Sequence, residues 1–258
     1  MKSLNELYNK SCKPKCGSYK QISSHITLID NFFEDFETAR DFFINREKWK
    51  CIPAYGGDER QGYESLFPKW IGKSLMEKYM LDNKISDDIN SYNILCNYFY
   101  YNFLSNLTIS NEYPHVDCVY NSKILTNVCL INLNNFPVST KFYTYKNNEY
   151  CTSEMLDEWN EYSKDIQNEL LKYYNKKDSK VISNTDLKKF LEYKINKKDL
   201  EVKLIKTLEY KPNQAIIYPF CLFHSPNTTQ EFTKDNPRIL LRIAFDRKII
   251  KPKNINYD

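Results

Sequence analysis

The stretch RILLRIAFD, residues 238–246, decides the fold class. At the two-residue period of a strand, Arg238, Leu240, Arg242 and Ala244 share one face, while Ile239, Leu241, Ile243 and Phe245 share the other. The second face is wholly apolar and is predicted to pack on helices. The first carries two guanidinium groups toward an interior, where a buried charge is costly unless an anion meets it. A sheet with helices on one side and a ligand space on the other is the simplest structure that accommodates both faces.

The flanking sequence fits that arrangement. ITLIDNFF (26–33) reads as a short strand, and EDFETARDFFINREKW (34–49) as a helix with Phe36, Ala39, Phe42 and Phe43 on one side. After a glycine-bearing loop (54–65), SLFPKWIGKSLMEKYML (65–81) has Trp70, Ile71, Leu75, Met76 and Tyr79 at helical spacing. Strand texture follows from Tyr92, again over 124–133, and through 139–151, where Lys-Asn-Asn-Glu is the expected hairpin turn. Residues 152–198 then switch to two amphipathic helices, the second opened by Ser183 and Asp186 at capping-box spacing. Strands resume at 201–210, 214–225 and 238–246. Strands, a helical insertion and further strands predict an α+β, mainly β chain: an antiparallel barrel or sandwich flanked by N-terminal helices.

We expect a polar N-terminal tail over 1–25, one domain over 26–250 with its insertion at about 152–198, and a C-terminal tail over 251–258. Cys12 and Cys16 form a C-x3-C pair with no matching second half, so a mobile tail is favoured over a zinc site. The other cysteines stand inside apolar runs, as reduced core cysteines do. Hydrophobic residues make up 41% of the chain, enough for a substantial core. The 37 basic and 33 acidic residues are interspersed, so the net charge of +4 gives no support for nucleic-acid binding. The N-terminus lacks the apolar core of a signal peptide and no stretch has the length of a membrane span, so a soluble, intracellular protein is expected.

Only three histidines occur, and two have telling neighbours. His115 precedes Asp117 by two residues, so on an extended chain both side chains can address one cation. His224 follows the apolar run ending in Cys221-Leu222-Phe223 and can join them at a sheet rim. Two imidazoles and one carboxylate on one side of a metal form the facial triad of non-haem iron(II) sites. Arg238 or Arg242 would then grip a carboxylate of a dicarboxylic cosubstrate. They stand about 13 Å apart along the strand, so only one can do so near the metal. Arg238 is favoured and Arg242 is the alternative. Each residue also has a structural explanation, as a backbone-bonded histidine or as an arginine paired with Asp235 or Asp246. His25 has no carboxylate partner nearby and receives no role. The tyrosines of YFYY (98–101), or Tyr218, can line the interior and donate a hydroxyl to a carboxylate.

ITLIDNFFEDFE, YPHVDC, LTNVCLINLN, STKFYTY, NQAIIYPFCLFHS and PRILLRIAF, taken in order, resemble the Fe(II)/2-oxoglutarate-dependent dioxygenases, in particular the prolyl-hydroxylase-like branch. The resemblance spans residues 26–246 apart from the insertion. It implies a double-stranded β-helix (jelly roll) core, iron ligands His115, Asp117 and His224, and Arg238 as the 2-oxoglutarate partner. The implied activity is hydroxylation of a C–H bond in a peptidyl residue, amino acid or other small molecule, using O2, Fe(II) and 2-oxoglutarate. Asp117 sets the chain apart from related halogenases, which lack the carboxylate ligand. Two departures concern loops near the site: Val138-Ser139-Thr140-Lys141 stands where relatives carry Gly-Gly-Thr, and Ser-Pro follows His224 in place of Ser-Gly. The insertion has no counterpart, and a lid over the barrel mouth is the preferred role. The rival readings are a non-catalytic jelly-roll binding or structural protein, and a cupin-type metalloenzyme that does not use 2-oxoglutarate.

Overall fold

A computed structural model describes residues 3–45, 50–53, 63–66, 68–82, 93–102, 114–121, 124–175, 186, 189, 190, 194, 201–227 and 237–248. Its helices are α1 (Leu4–Ser11), α2 (Phe36–Ile44), α3 (Lys69–Asp82) and α4 (Leu156–Tyr173). The strands are β1 (Tyr19–Gln21), β2 (Thr27–Ile29), β3 (Lys50–Pro53), β4 (Tyr63–Leu66), β5 (Asn93–Asn102), β6 (Ile124–Asn132), β7 (Val138–Tyr145), β8 (Val202–Tyr210), β9 (Ala215–Pro219), β10 (His224–Asn227) and β11 (Arg238–Lys248). They form two antiparallel sheets, one of eight strands in the order β1-β2-β9-β6-β11-β5-β4-β3 and one of three in the order β10-β7-β8.

The alternation of β11 explains the layering. Ile239, Leu241, Ile243 and Phe245 join Cys129, Ile131 and Ile217 in a core with Phe42 and Phe43 of α2 and Ile71, Leu75 and Met76 of α3. Leu240 and Ala244 face the other way, into a second core with Val128, Leu130, Ile216 and Tyr218 of the large sheet and Phe142, Leu208 and Tyr210 of the small one. The outer face of the small sheet, through Tyr143, Tyr145 and Val202, packs on Trp159, Ile166 and Leu170 of α4. Four layers result: helices, large sheet, small sheet, helix. No helix among the described residues is long and apolar enough to cross a membrane.

Several expectations need correction. The polar tail expected over 1–25 is folded over most of its length. Ser3 and Glu6 cap α1 reciprocally, with Ser3 N–H donating to Glu6 at 2.7 Å and Glu6 N–H to Ser3 at 3.2 Å. Tyr8, Cys12 and Cys16 are buried in the helical-side core, and Leu4 and Leu7 pack against it. The apolar spacing Leu4, Leu7, Tyr8 and the capping residues carry this structure, and a lysine-rich average concealed them. The strand expected over 26–33 shortens to β2, because Asn31 turns the chain at φ 47° and lets Phe32 and Phe33 enter the core. Residues 65 and 66 belong to β4, so the third helix begins only at Lys69, and Trp70 is 38% exposed with its ring edge-on to Tyr8 at 5.0 Å.

Strands β6 and β7 do not pair with each other but lie in different sheets, and the turn after β7 is the tight pair Lys146-Asn147, both at positive φ. The run expected as a single strand over 214–225 is also divided. Strand β9 ends at Pro219, the chain crosses between sheets, and His224 opens β10. The helix α4 is a wall on the back of the small sheet, with Trp159 against Phe223 at a ring distance of 4.7 Å, and not a cover on the inter-sheet space. Of the second insertion helix, residues 186, 189, 190 and 194 are described and helical, with Phe190 in the same core as α4. The side chains of YFYY and the segment 251–258 lie outside the described residues.

Candidate functional site

The crossing between sheets builds the site. His115 and His224 exchange two backbone hydrogen bonds, each N–H donating to the other's carbonyl at 2.9 Å, and Asp117 N–H donates to the Phe220 carbonyl at 3.0 Å. This short ladder ties the segment at 114–117 to the chain running from β9 into β10. Directly opposed residues project their side chains to the same face. The two imidazole centroids are accordingly 4.6 Å apart, and Asp117, two residues along, turns to the same side. One ligand atom from each of His115, Asp117 and His224 lies within 4.8 Å of the others.

The hydrogen bonding selects a metal-binding form of His224. Its Nδ1 lies 2.8 Å from the Leu222 carbonyl, which can only accept, so Nδ1 carries the proton and Nε2 keeps its lone pair. Burial, reinforced by His115 and Arg242, depresses the imidazole to a pKa of about 4 against the opposing pull of Asp117, so the ring is neutral at neutral pH. That lone pair faces Asp117 Oδ2 at 3.5 Å. Burial pushes the Asp117 carboxyl up, but His224, Arg242 and His115 outweigh it and hold it below the usual range. An anionic oxygen and a neutral nitrogen lone pair face each other, and although Arg242 also donates to that oxygen, the nitrogen lone pair is left for a metal cation.

The two arginines separate clearly. Arg242 donates from Nη2 to Asp117 Oδ2 at 3.0 Å, with its guanidinium carbon 4.7 Å from the Phe220 ring centre. Arg238 is 6% exposed and no carboxylate among the described residues meets it. Its Nη2 stands 3.5 Å from Tyr210 Oη, and its Nε is buried with no hydrogen-bond partner among the described residues. Thr140 Oγ1 stands 3.5 Å from the same tyrosine oxygen. Neither arginine pairs with Asp246, which accepts a 2.7 Å hydrogen bond from Thr126.

Tyr218 packs beside the histidine end of this space, against His224 and Phe142. Its ring is 5.0 Å from His224, and Asp117, Arg242, Tyr210 and Arg238 all act electrostatically on its hydroxyl. Burial, with Asp117 adding to it, raises its pKa far above the ordinary value, so it remains a neutral donor. His25 packs edge-on against Tyr150 at 4.7 Å, apart from the metal-ligand group. Tyr210 and Thr140 were not anticipated from sequence. The available signal was the alternation of Leu208 and Tyr210 at the end of β8, both buried after five exposed residues.

No protein-family model matches the chain, and no curated protein matches its sequence. Among solved structures, similarity is found to HygX from Streptomyces hygroscopicus with nickel, 2-oxoglutarate and hygromycin B bound, at 9% identity and a TM-score of 0.45, covering 88% of this chain and 84% of that one. The epimerase SnoN from nogalamycin biosynthesis, a non-haem α-ketoglutarate-dependent protein, is similar at 9% identity and a TM-score of 0.41, covering 98% and 87%. EvdO2 from Micromonospora carbonacea var. aurantiaca is similar at 8% identity and a TM-score of 0.43, covering 92% and 97%. Likeness at this level assigns no chemistry to this chain, and the geometry of the site has to carry it.

Proposed function

We propose that the protein is an Fe(II)- and 2-oxoglutarate-dependent oxygenase that hydroxylates a C–H bond of a peptidyl residue, amino acid or other small molecule, on a double-stranded β-helix core. The observation that carries this reading is the pairing of two incomplete sites in one inter-sheet space. One is a two-histidine, one-carboxylate set with a neutral Nε2 and an anionic oxygen facing each other. The other is a buried guanidinium with an orphaned Nε and no carboxylate among the described residues.

Each residue fits the missing groups by its chemistry. His115, Asp117 and His224 offer nitrogen, oxygen and nitrogen, the donor set of a ferrous facial site, and leave the remaining coordination positions to cosubstrate and oxygen. Arg238 offers a fork of donors to the far carboxylate of a keto diacid, with the Tyr210 and Thr140 hydroxyls beside it. Arg242, paired with Asp117, is the weaker candidate for that task. Leu130, Phe142 and Leu240 wall the space with apolar surface and limit access of water. When bound, iron and 2-oxoglutarate would supply the oxidising chemistry, in which O2, the keto acid and a substrate C–H bond give succinate, carbon dioxide and the hydroxylated substrate. The buried Arg238 guanidinium favours this reading over a metal enzyme that needs no keto acid.

Anaerobic titration with Fe(II) and 2-oxoglutarate tests the proposal. The expected result is a visible metal-to-ligand charge-transfer band that needs both additions and vanishes in Asp117→Ala. Absence of the band in folded wild-type protein at saturating iron and 2-oxoglutarate rules out the assignment, and iron binding without any 2-oxoglutarate response supports the cupin-type alternative.

A further inference from the structure

Arg242 has a geometry that cosubstrate binding does not explain. Its Nη2 donates to Asp117 Oδ2 at 3.0 Å while its guanidinium lies over Phe220 at 4.7 Å. Phe220 is also the residue whose carbonyl receives the Asp117 N–H at 3.0 Å. One residue at the sheet crossing therefore fixes the Asp117 backbone and supports the cation that fixes its carboxylate. The Asp117 side chain keeps 26% of its exposure, and among the described residues its segment is held by the short ladder to His224 and Phe220, so the carboxylate gains from a lateral restraint.

We propose that Arg242 is a positioning residue that holds Asp117 in its metal-ready orientation, an inference that rests on the metal site proposed above. A planar guanidinium directs its donors along fixed lines, so a carboxylate oxygen on Nη2 is oriented as well as attracted. Hydrogen-bond partners of ligating carboxylates typically account for about 10–100-fold in metal affinity. Charge alone acts in the opposite sense, since removing a cation beside a divalent-metal site relieves repulsion. Arg242 and Asp117 keep 24% and 26% of their exposure, so water screens that repulsion, and the orientational effect is the larger.

Manganese(II) binding, read from the EPR signal of the free ion, tests this without turnover. We expect R242Q to weaken manganese affinity about 10–100-fold. R242K, which keeps the charge but not the fork, should recover part of that loss. F220L, which removes the ring under the guanidinium, should give a smaller loss in the same direction. At saturating metal, 2-oxoglutarate affinity of R242Q should stay within about 3-fold of wild type, whereas Arg238→Met loses far more. Unchanged or tighter manganese binding in folded R242Q overturns the inference, as does a 2-oxoglutarate loss in R242Q matching that of Arg238→Met. Asp117→Ala separates the two levels. If it too leaves manganese binding unchanged, the metal site itself fails; if it abolishes binding while R242Q does not alter it, only the role of Arg242 fails.

Discussion

The two faces of β11 are built from the same backbone and have opposite chemistry. Toward the helices, Ile239, Leu241, Ile243 and Phe245 sit in a core of aliphatic and aromatic side chains. Toward the small sheet, Leu240 and Ala244 alternate with Arg238, buried without a carboxylate, and Arg242, paired with Asp117. Folding alone rewards the first face. The second contains a buried charge that destabilises the free protein, which points to selection for a ligand.

Substitutions that separate the two faces follow from this, in order of expected effect. His224→Ala and Asp117→Ala should abolish ferrous-dependent activity and metal binding, with circular dichroism confirming a retained fold. Arg238→Met should raise the apparent KM for 2-oxoglutarate by roughly 30-fold or more, the usual cost of about 2 kcal/mol or above for losing one partner of a buried charge pair. The same variant should melt no lower than wild type without ligands, because an uncompensated buried guanidinium is replaced by apolar volume. Loss of stability on Arg238→Met would break the contrast. On the helical face, Leu241→Ala should lower unfolding free energy by about 2–5 kcal/mol in a urea titration and leave metal affinity of the folded fraction unchanged.

Acid should act on the polar face first. His224 titrates at about 4 in the folded, metal-free protein, below its unfolded value, so the unfolded chain takes up the proton first as pH falls. The contribution to stability is complete above about pH 6.5 and declines as pH falls toward 4. Urea titrations of metal-free protein across that range should show the decline, and His224→Gln should flatten it. The smallest expected effect is on the helical side. Ser3→Ala removes the α1 cap and should cost about 0.5–2 kcal/mol with no change at the metal site.

Much of this contrast was legible in RILLRIAFD, because a strand's two-residue period fixes which side chains share a face whatever the neighbouring strands are. The grouping of His115 with Asp117 was legible for the same reason. Their meeting with His224 was anticipated, but on the wrong strand geometry: His224 begins β10, since the chain changes sheets at Phe220–Phe223, and a continuous apolar run does not announce such a crossing. Tyr210 and the Arg242–Asp117 pair depend on contacts across 28 and 125 residues of sequence, which periodicity cannot supply. The fold of α1 is hard to read from sequence for a different reason, as the apolar spacing of an eight-residue helix is short enough to be masked by its lysine-rich surroundings.

The most direct test of the central claim is a crystal structure of the protein grown anaerobically with Fe(II) and 2-oxoglutarate, with data collected at the iron absorption edge. The expected result is one anomalous peak bonded to His115, Asp117 and His224, with the far carboxylate of 2-oxoglutarate on Arg238. An iron peak elsewhere, or a fully loaded crystal with none between these three side chains, contradicts it.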